Sequence, residues 1–158
     1  MRETWTFHSA GQILFGRNAI GQIGEVAGRL GARRALVVTD SILDKAGVLE
    51  RVRQPLTQGG LAVGAFTGGE PEPSMRVATK CLERALSFKP DVVVGLGGGS
   101  NMDLAKICAT LLAHGGAPPT YVGDGKIPGP ILPLLCVPTT AGTGSEVSAA
   151  AVLTDTDN

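Results

Sequence analysis

Residues 91–109 read DVVVGLGGGSNMDLAKICA, and the order of residue types along them decides the fold. Val92, Val93, Val94 and Leu96 make a short, continuous, β-branched run, as expected of a strand covered on both faces in a parallel sheet. From Leu104 onward the apolar positions are Leu104, Ile107, Cys108, Leu111 and Leu112, which is a helical stripe. Between the two lie Gly97, Gly98, Gly99 and Ser100. Glycine lets the backbone take positive φ and lets a ligand come close. A helix beginning near Ser100 points its unpaired N–H groups and partial positive charge into that turn, a geometry that suits phosphate. Taken alone, the glycines serve equally as a tight strand-to-helix turn, so the rest of the chain must discriminate.

Earlier in the chain, residues 34–40 (RALVVTD) read as another parallel strand, ending on Asp40. Open α/β sheets place their ligands at the carboxyl ends of strands. Asp40 there either starts the turn into Ser41 and Ile42 or caps the segment after it, or it accepts hydrogen bonds from an adenine-ribose diol. In the ligand-binding role it repels a 2′-phosphate by roughly 1 to 4 kcal/mol and disfavours NADP. Residues 48–58 read as a helix with Leu49, Val52 and Leu56 inward and Pro55 kinking it or marking its last turn. Residues 61–66 are the next strand. The loop TGGEPEP leads to Ser74 as an N-cap, and a helix begins there that buries Ala78, Cys81, Leu82, Ala85 and Leu86.

Nearer the N-terminus, residues 5–15 (WTFHSAGQILF) suggest a hairpin, and Asn18 is positioned to cap a helix carrying Ile20, Ile23, Ala27 and Leu30, stopped by Gly31. Downstream of His114 comes a Gly- and Pro-rich loop with one turn near Tyr121, then a short buried strand over residues 134–137. Residues 139–148 (TTAGTGSEVS) pack three threonines and two serines into ten positions. Such a loop either satisfies its own backbone or presents donors to ribose and pyrophosphate oxygens. Residues 149–154 resume as a strand. The alternation of strand and helix predicts an α/β fold, a Rossmann-like doubly wound, mostly parallel sheet with an N-terminal β-hairpin.

Composition narrows the function classes. Fourteen basic and fourteen acidic residues give no net charge and no clustered sign, which argues against nucleic acid and anionic membrane partners. The apolar runs are too short to span a bilayer. Three well-separated cysteines, Cys81, Cys108 and Cys136, argue for buried thiols in a reducing cytoplasm rather than a disulfide framework. His8 and His114 have no ligand-spaced partners, so no metal site is read. The chain stops at residues 155–158 just after a strand, which suggests one domain of a longer product.

Three stretches together, TD at Thr39 and Asp40, GGGSNMDLAK from Gly97 and PTTAGTGSEVS from Pro138, resemble the N-terminal dinucleotide-binding domain of the iron-dependent (group III) alcohol dehydrogenases. The likeness runs from ILFG at Ile13 to AVLTD at Ala151. It implies that residues 1–158 form an NAD(H)-binding domain, with a helical domain carrying a divalent metal, iron, outside this chain. By resemblance Asp40 takes the adenosine ribose, and Gly98, Gly99 and Ser100 the pyrophosphate. Thr139, Thr140, Gly142 and Thr143 surround the phosphates and nicotinamide ribose, Val152 lies near the cofactor, and Asp103 lies toward the nicotinamide end. Asp103 and Lys106 match the family motif, though a first-turn acid and a lysine one turn on are also favoured by dipole and pairing alone. No catalytic residue and no metal ligand carries over. Glu72 departs from the family, where Asn is frequent near the cofactor.

The resemblance implies hydride transfer between NAD(H) and a small-molecule alcohol or aldehyde, with this chain alone inactive; the cysteines point to the cytoplasm, and the oligomeric state stays open, a homodimer being one alternative. Glycerol dehydrogenases, maleylacetate reductases and dehydroquinate synthases share the plan and remain alternatives, as does a non-catalytic NAD-binding module.

Overall fold

The computed structural model describes residues 11–155. Four parallel strands, β1 (Arg34–Asp40), β2 (Ala62–Gly69), β3 (Val92–Gly97) and β4 (Leu134–Pro138), form one sheet in the order β2-β1-β3-β4. The helices are α1 (Ile23–Arg29), α2 (Ser41–Lys45), α3 (Val48–Gln58), α4 (Met75–Phe88) and α5 (Gly99–His114). The expected α/β, doubly wound arrangement is therefore present.

The strand pattern explains the layering. Successive residues of β1 point to opposite faces, so Ala35 and Val37 join Ile23, Ala27, Leu49, Val52 and Leu56 under α1 and α3. Leu36 and Val38 join Ala78, Cys81, Ala85, Leu104 and Cys108 under α4 and α5. Every residue of β3 is buried, as its unbroken apolar run requires. Gly95 lets α5 settle onto β3, since a Cβ there would lie 2.9 Å from the Ala105 Cβ and 3.1 Å from the Met102 Cα. The amino ends of the strands are pinned by Asp91, whose carboxylate accepts from the backbone N–H groups of Arg33 and Arg34 at 2.8 to 3.0 Å.

Several expectations are corrected. Asn18 does not cap a helix with its side chain; it takes a left-handed conformation (φ 59°) ahead of a 3-10 turn, Ala19–Gln22, that leads into α1. Leu30 is half exposed, because the helix ends before it completes the stripe. β2 continues through Thr67 to Gly69, since the end of β1 pairs with Gly68 and Gly69 across a bulge. In α4 the expected Ala78, Cys81 and Ala85 are buried, but Leu86 is exposed and Val77 joins the buried face instead.

Residues 149–154 form no strand. Only Thr154 makes a bridge, to Ser74, because other backbone groups of the segment are taken by side chains of α5: Ala150 O accepts from Lys106 Nζ, and Val152 N donates to Asp103. The first arm of the expected N-terminal hairpin lies outside the described residues, and residues 12–15 join no strand among them. The turn near Tyr121 is a 3-10 turn, Pro118–Tyr121, as the sequence suggests.

Candidate functional site

The order β2-β1-β3-β4 reverses direction between β1 and β3. The crevice beyond the carboxyl ends of these strands is where a doubly wound sheet accepts a ligand. Three sequence features converge there: Asp40 ends β1, the glycine turn comes after β3, and Thr139 comes after β4. With neighbouring strands about 4.8 Å apart, these groups span roughly 10 Å along the sheet edge.

The glycine turn leaves a helix end open. Gly97 takes φ 141°, which only glycine tolerates, and α5 starts at Gly99 with Gly98 as N-cap and no side-chain capping bond. Met102 N closes the first turn on Gly98 O. The N–H groups of the residues before it have no intrahelical acceptor. α5 is sixteen residues long, so it delivers the full end-charge of a helix dipole.

The hydroxyl loop faces this opening. A Cβ on Gly98 would stand 3.4 Å from Thr140 Oγ1, and one on Gly99 would stand 3.5 Å from the Thr143 Cβ and 3.9 Å from the Ser145 Cβ. The gap between turn and loop is therefore one that a side chain would begin to fill. Thr139, Thr140, Gly142 and Thr143 are exposed on its rim, and Gly142 (φ 91°) and Gly144 (φ 67°) supply the left-handed turns that fold the loop back. Thr143 Oγ1 accepts from Ser145 N at 3.3 Å, so the loop partly satisfies its own backbone.

Asp40 does two things at once. Its Oδ1 accepts from Ile42 N (2.8 Å) and Leu43 N (2.9 Å) and so caps α2. Its Oδ2 accepts from Asn101 Nδ2 at 2.7 Å. A carboxylate oxygen has two acceptor positions, so Oδ2 keeps one for an outside donor. Asn101, buried, also donates to Leu96 O at 3.1 Å, tying α5 to both β1 and β3. Sequence reasoning missed it, although the signal was legible: position 101 is three residues before Leu104, so a polar side chain sits on the buried stripe.

Asp103 and Val152 meet on the other side of α5. Asp103 Oδ1 accepts from Ser145 Oγ (2.6 Å) and Lys106 Nζ (3.0 Å), and its Oδ2 accepts from Val152 N (3.1 Å). The Val152 side chain itself is exposed. Glu72 is exposed too, with a strained φ of 48° in the loop after β2. Left-handed backbone favours Asn over Glu.

The cysteines are not part of this chemistry. Cys81 and Cys108 are buried between α4 and α5, and a hydrogen bond with Cys108 together with burial pushes the Cys81 thiol up. Burial likewise raises Cys136. Thiolates are accordingly disfavoured at both. Among the described residues no three His, Cys, Asp or Glu are grouped to hold a metal ion, and no helix is long and apolar enough to cross a membrane.

Comparison with known proteins gives this geometry a context. The family model for iron-containing alcohol dehydrogenase matches residues 10–158. A long-chain-alcohol dehydrogenase of Geobacillus thermodenitrificans is 40% identical over 141 residues, covering 87% of this chain and 36% of the relative. The crystal structure of a 1,3-propanediol oxidoreductase superposes with a TM-score of 0.93 at 34% identity, over 98% of this chain and 40% of the other. A sulfoacetaldehyde reductase from Bifidobacterium kashiwanohense, solved in complex with NAD+, superposes with a TM-score of 0.86 at 31% identity, over 98% of this chain and 41% of the other. The chain thus spans about two fifths of the length of these proteins.

Proposed function

The chain belongs to the iron-containing alcohol dehydrogenase family, and from that membership we propose that residues 1–158 form the NAD(H)-binding part of an enzyme interconverting a small alcohol and its aldehyde or ketone. The observation that carries the proposal is the open N-terminus of α5 at the switch between β1 and β3. It is flanked by a carboxylate with a free acceptor position and by a threonine loop. The relative solved with NAD+ supports the same cofactor here.

The residues divide the work by chemistry. The unpaired N–H groups at the start of α5, with Gly98, Gly99 and Ser100, would hold the pyrophosphate; the absence of side chains at 98 and 99 permits backbone approach. Asp40, oriented by Asn101 and the α2 backbone, would accept from an adenosine-ribose hydroxyl and turn away a 2′-phosphate. Thr139, Thr140 and Thr143 would donate to phosphate and the second ribose, with Gly142 shaping their loop and Val152 beside the cofactor. When bound, NAD supplies the hydride acceptor or donor. The iron that names the family finds no fitting ligand group among the described residues. On this reading the chain binds and orients the cofactor in a cytoplasmic protein, as its family membership and the relative solved with NAD+ support.

The test is a paired assay on the 158-residue chain: NADH binding by fluorescence, and NAD reduction with a primary alcohol and added ferrous ion. Binding without turnover is expected. Sustained alcohol oxidation by the chain alone would refute this division of labour.

A further inference from the structure

Helix α5 has a second polar face that the cofactor reading leaves unused. Lys106, only 7% exposed, sets its ammonium against four oxygens: Ala150 O at 2.6 Å, Ser145 Oγ at 2.8 Å, Asp103 Oδ1 at 3.0 Å and Ser148 Oγ at 3.3 Å. An ammonium has three protons, so its donors are spent inside the protein. Asp103 is similarly engaged, taking Ser145 Oγ and Lys106 on one oxygen and Val152 N on the other. Every partner outside α5 lies between Ser145 and Val152, on the one segment that returns past the glycine turn.

That segment has little else to hold it. It joins no ladder until Thr154, whose backbone bonds with Pro73 and Met75. Ser145 is the link to the cofactor gap: its hydroxyl sits between Asp103 and Lys106, its N–H bonds Thr143 Oγ1, and its Cβ stands opposite Gly99. The width of the gap between glycine turn and hydroxyl loop therefore depends on the buried ion pair. A buried pair is weak evidence for stability, because hydrophobic replacement is often as stable, whereas holding a particular geometry is a use to which such pairs are suited.

We propose that Asp103 and Lys106 are positioning residues that hold the threonine loop and Val152 in register with the glycine turn, and so set affinity for the part of the dinucleotide remote from Asp40. The inference rests on the NAD reading and assigns both residues an action through the loop rather than through contact with the cofactor.

The experiment compares NADH with AMP, which ends at its single phosphate and lacks the second ribose and the nicotinamide, for the wild-type chain and for Lys106→Met, with Ser145→Ala as a milder variant that removes one hydroxyl of the link. NADH affinity should fall roughly tenfold in Lys106→Met while AMP affinity stays within about threefold, and Ser145→Ala should shift in the same direction by less. Hydrogen exchange, which needs no ligand, should speed at the Ser145 and Val152 amides and remain unchanged at Leu43. Equal losses for both ligands, or unchanged exchange at Val152 in a folded Lys106→Met, would overturn the positioning role. A wild-type chain that binds neither AMP nor NADH overturns the NAD reading, and this inference with it.

Discussion

Helices α4 and α5 lie side by side on one face of the sheet, and both begin at its carboxyl edge, yet they begin in opposite ways. At α4 the Ser74 hydroxyl accepts from Val77 N at 3.3 Å, and the Ser74 hydroxyl and N–H in turn donate to Glu70 Oε1 at 2.8 and 3.1 Å. At α5 the cap is Gly98, which has no side chain to offer. The first start is closed by the chain itself. The second leaves its donors turned to the crevice. Helices α1 and α3 also start without a side-chain cap, so it is the place of the uncapped α5 at the switch between β1 and β3, and not the missing cap alone, that makes this end the candidate site.

Substitutions put this contrast at risk. The largest effect is expected from Gly99→Val. The new Cβ meets Thr143 and Ser145 at ordinary contact distance, so the fold should survive, but the γ-methyls occupy the gap. NADH affinity, measured by titration, should fall about a hundredfold or more; survival of binding would place the phosphates elsewhere. Next is Asp40→Ala, which should lower the preference for NAD over NADP about tenfold. It should also cost about 1 kcal/mol in denaturant unfolding through loss of the α2 cap. A stability loss with an unchanged cofactor ratio would reduce Asp40 to a capping residue.

Ser74→Ala probes the contrast from the closed side. It should cost about 1 kcal/mol of stability and leave NADH affinity unchanged. The smallest effect concerns Glu70, whose carboxyl is held below the usual range by the Ser74 hydroxyl first and the Ser74 N–H second. Its folded pKa is depressed, so its contribution is present above the unfolded value and is lost as pH falls through the folded one. Glu70→Gln should flatten the acid limb of a stability-versus-pH curve only slightly, since Glu70 is only half-buried and solvent screens its charge.

The core elements were legible because they depend on local pattern. The runs at 34–40 and 92–97 alternate or saturate with β-branched residues, and α3 carries its stripe at helical spacing; their bounds match closely. What escaped depends on partners distant in sequence. Residues 149–154 have strand-like composition, but their backbone groups bond to Asp103 and Lys106, nearly fifty positions earlier. The extension of β2 comes from pairing with Asp40 rather than from its own threonine and glycines. Asn18 failed as a cap because its backbone is left-handed, which the residue type permits but does not announce. Within the site, the residues with distinctive chemistry could be named, while Asn101, which orients one of them, emerged only from contact geometry.

Whether the open end of α5 is the phosphate cradle can be read from amide chemical shifts of the isotope-labelled chain titrated with NAD+. The N–H signals of Gly99, Ser100 and Asn101 should move most and together, while Val77 at the capped start of α4 stays still. Saturable binding that leaves those three signals in place would contradict the cradle.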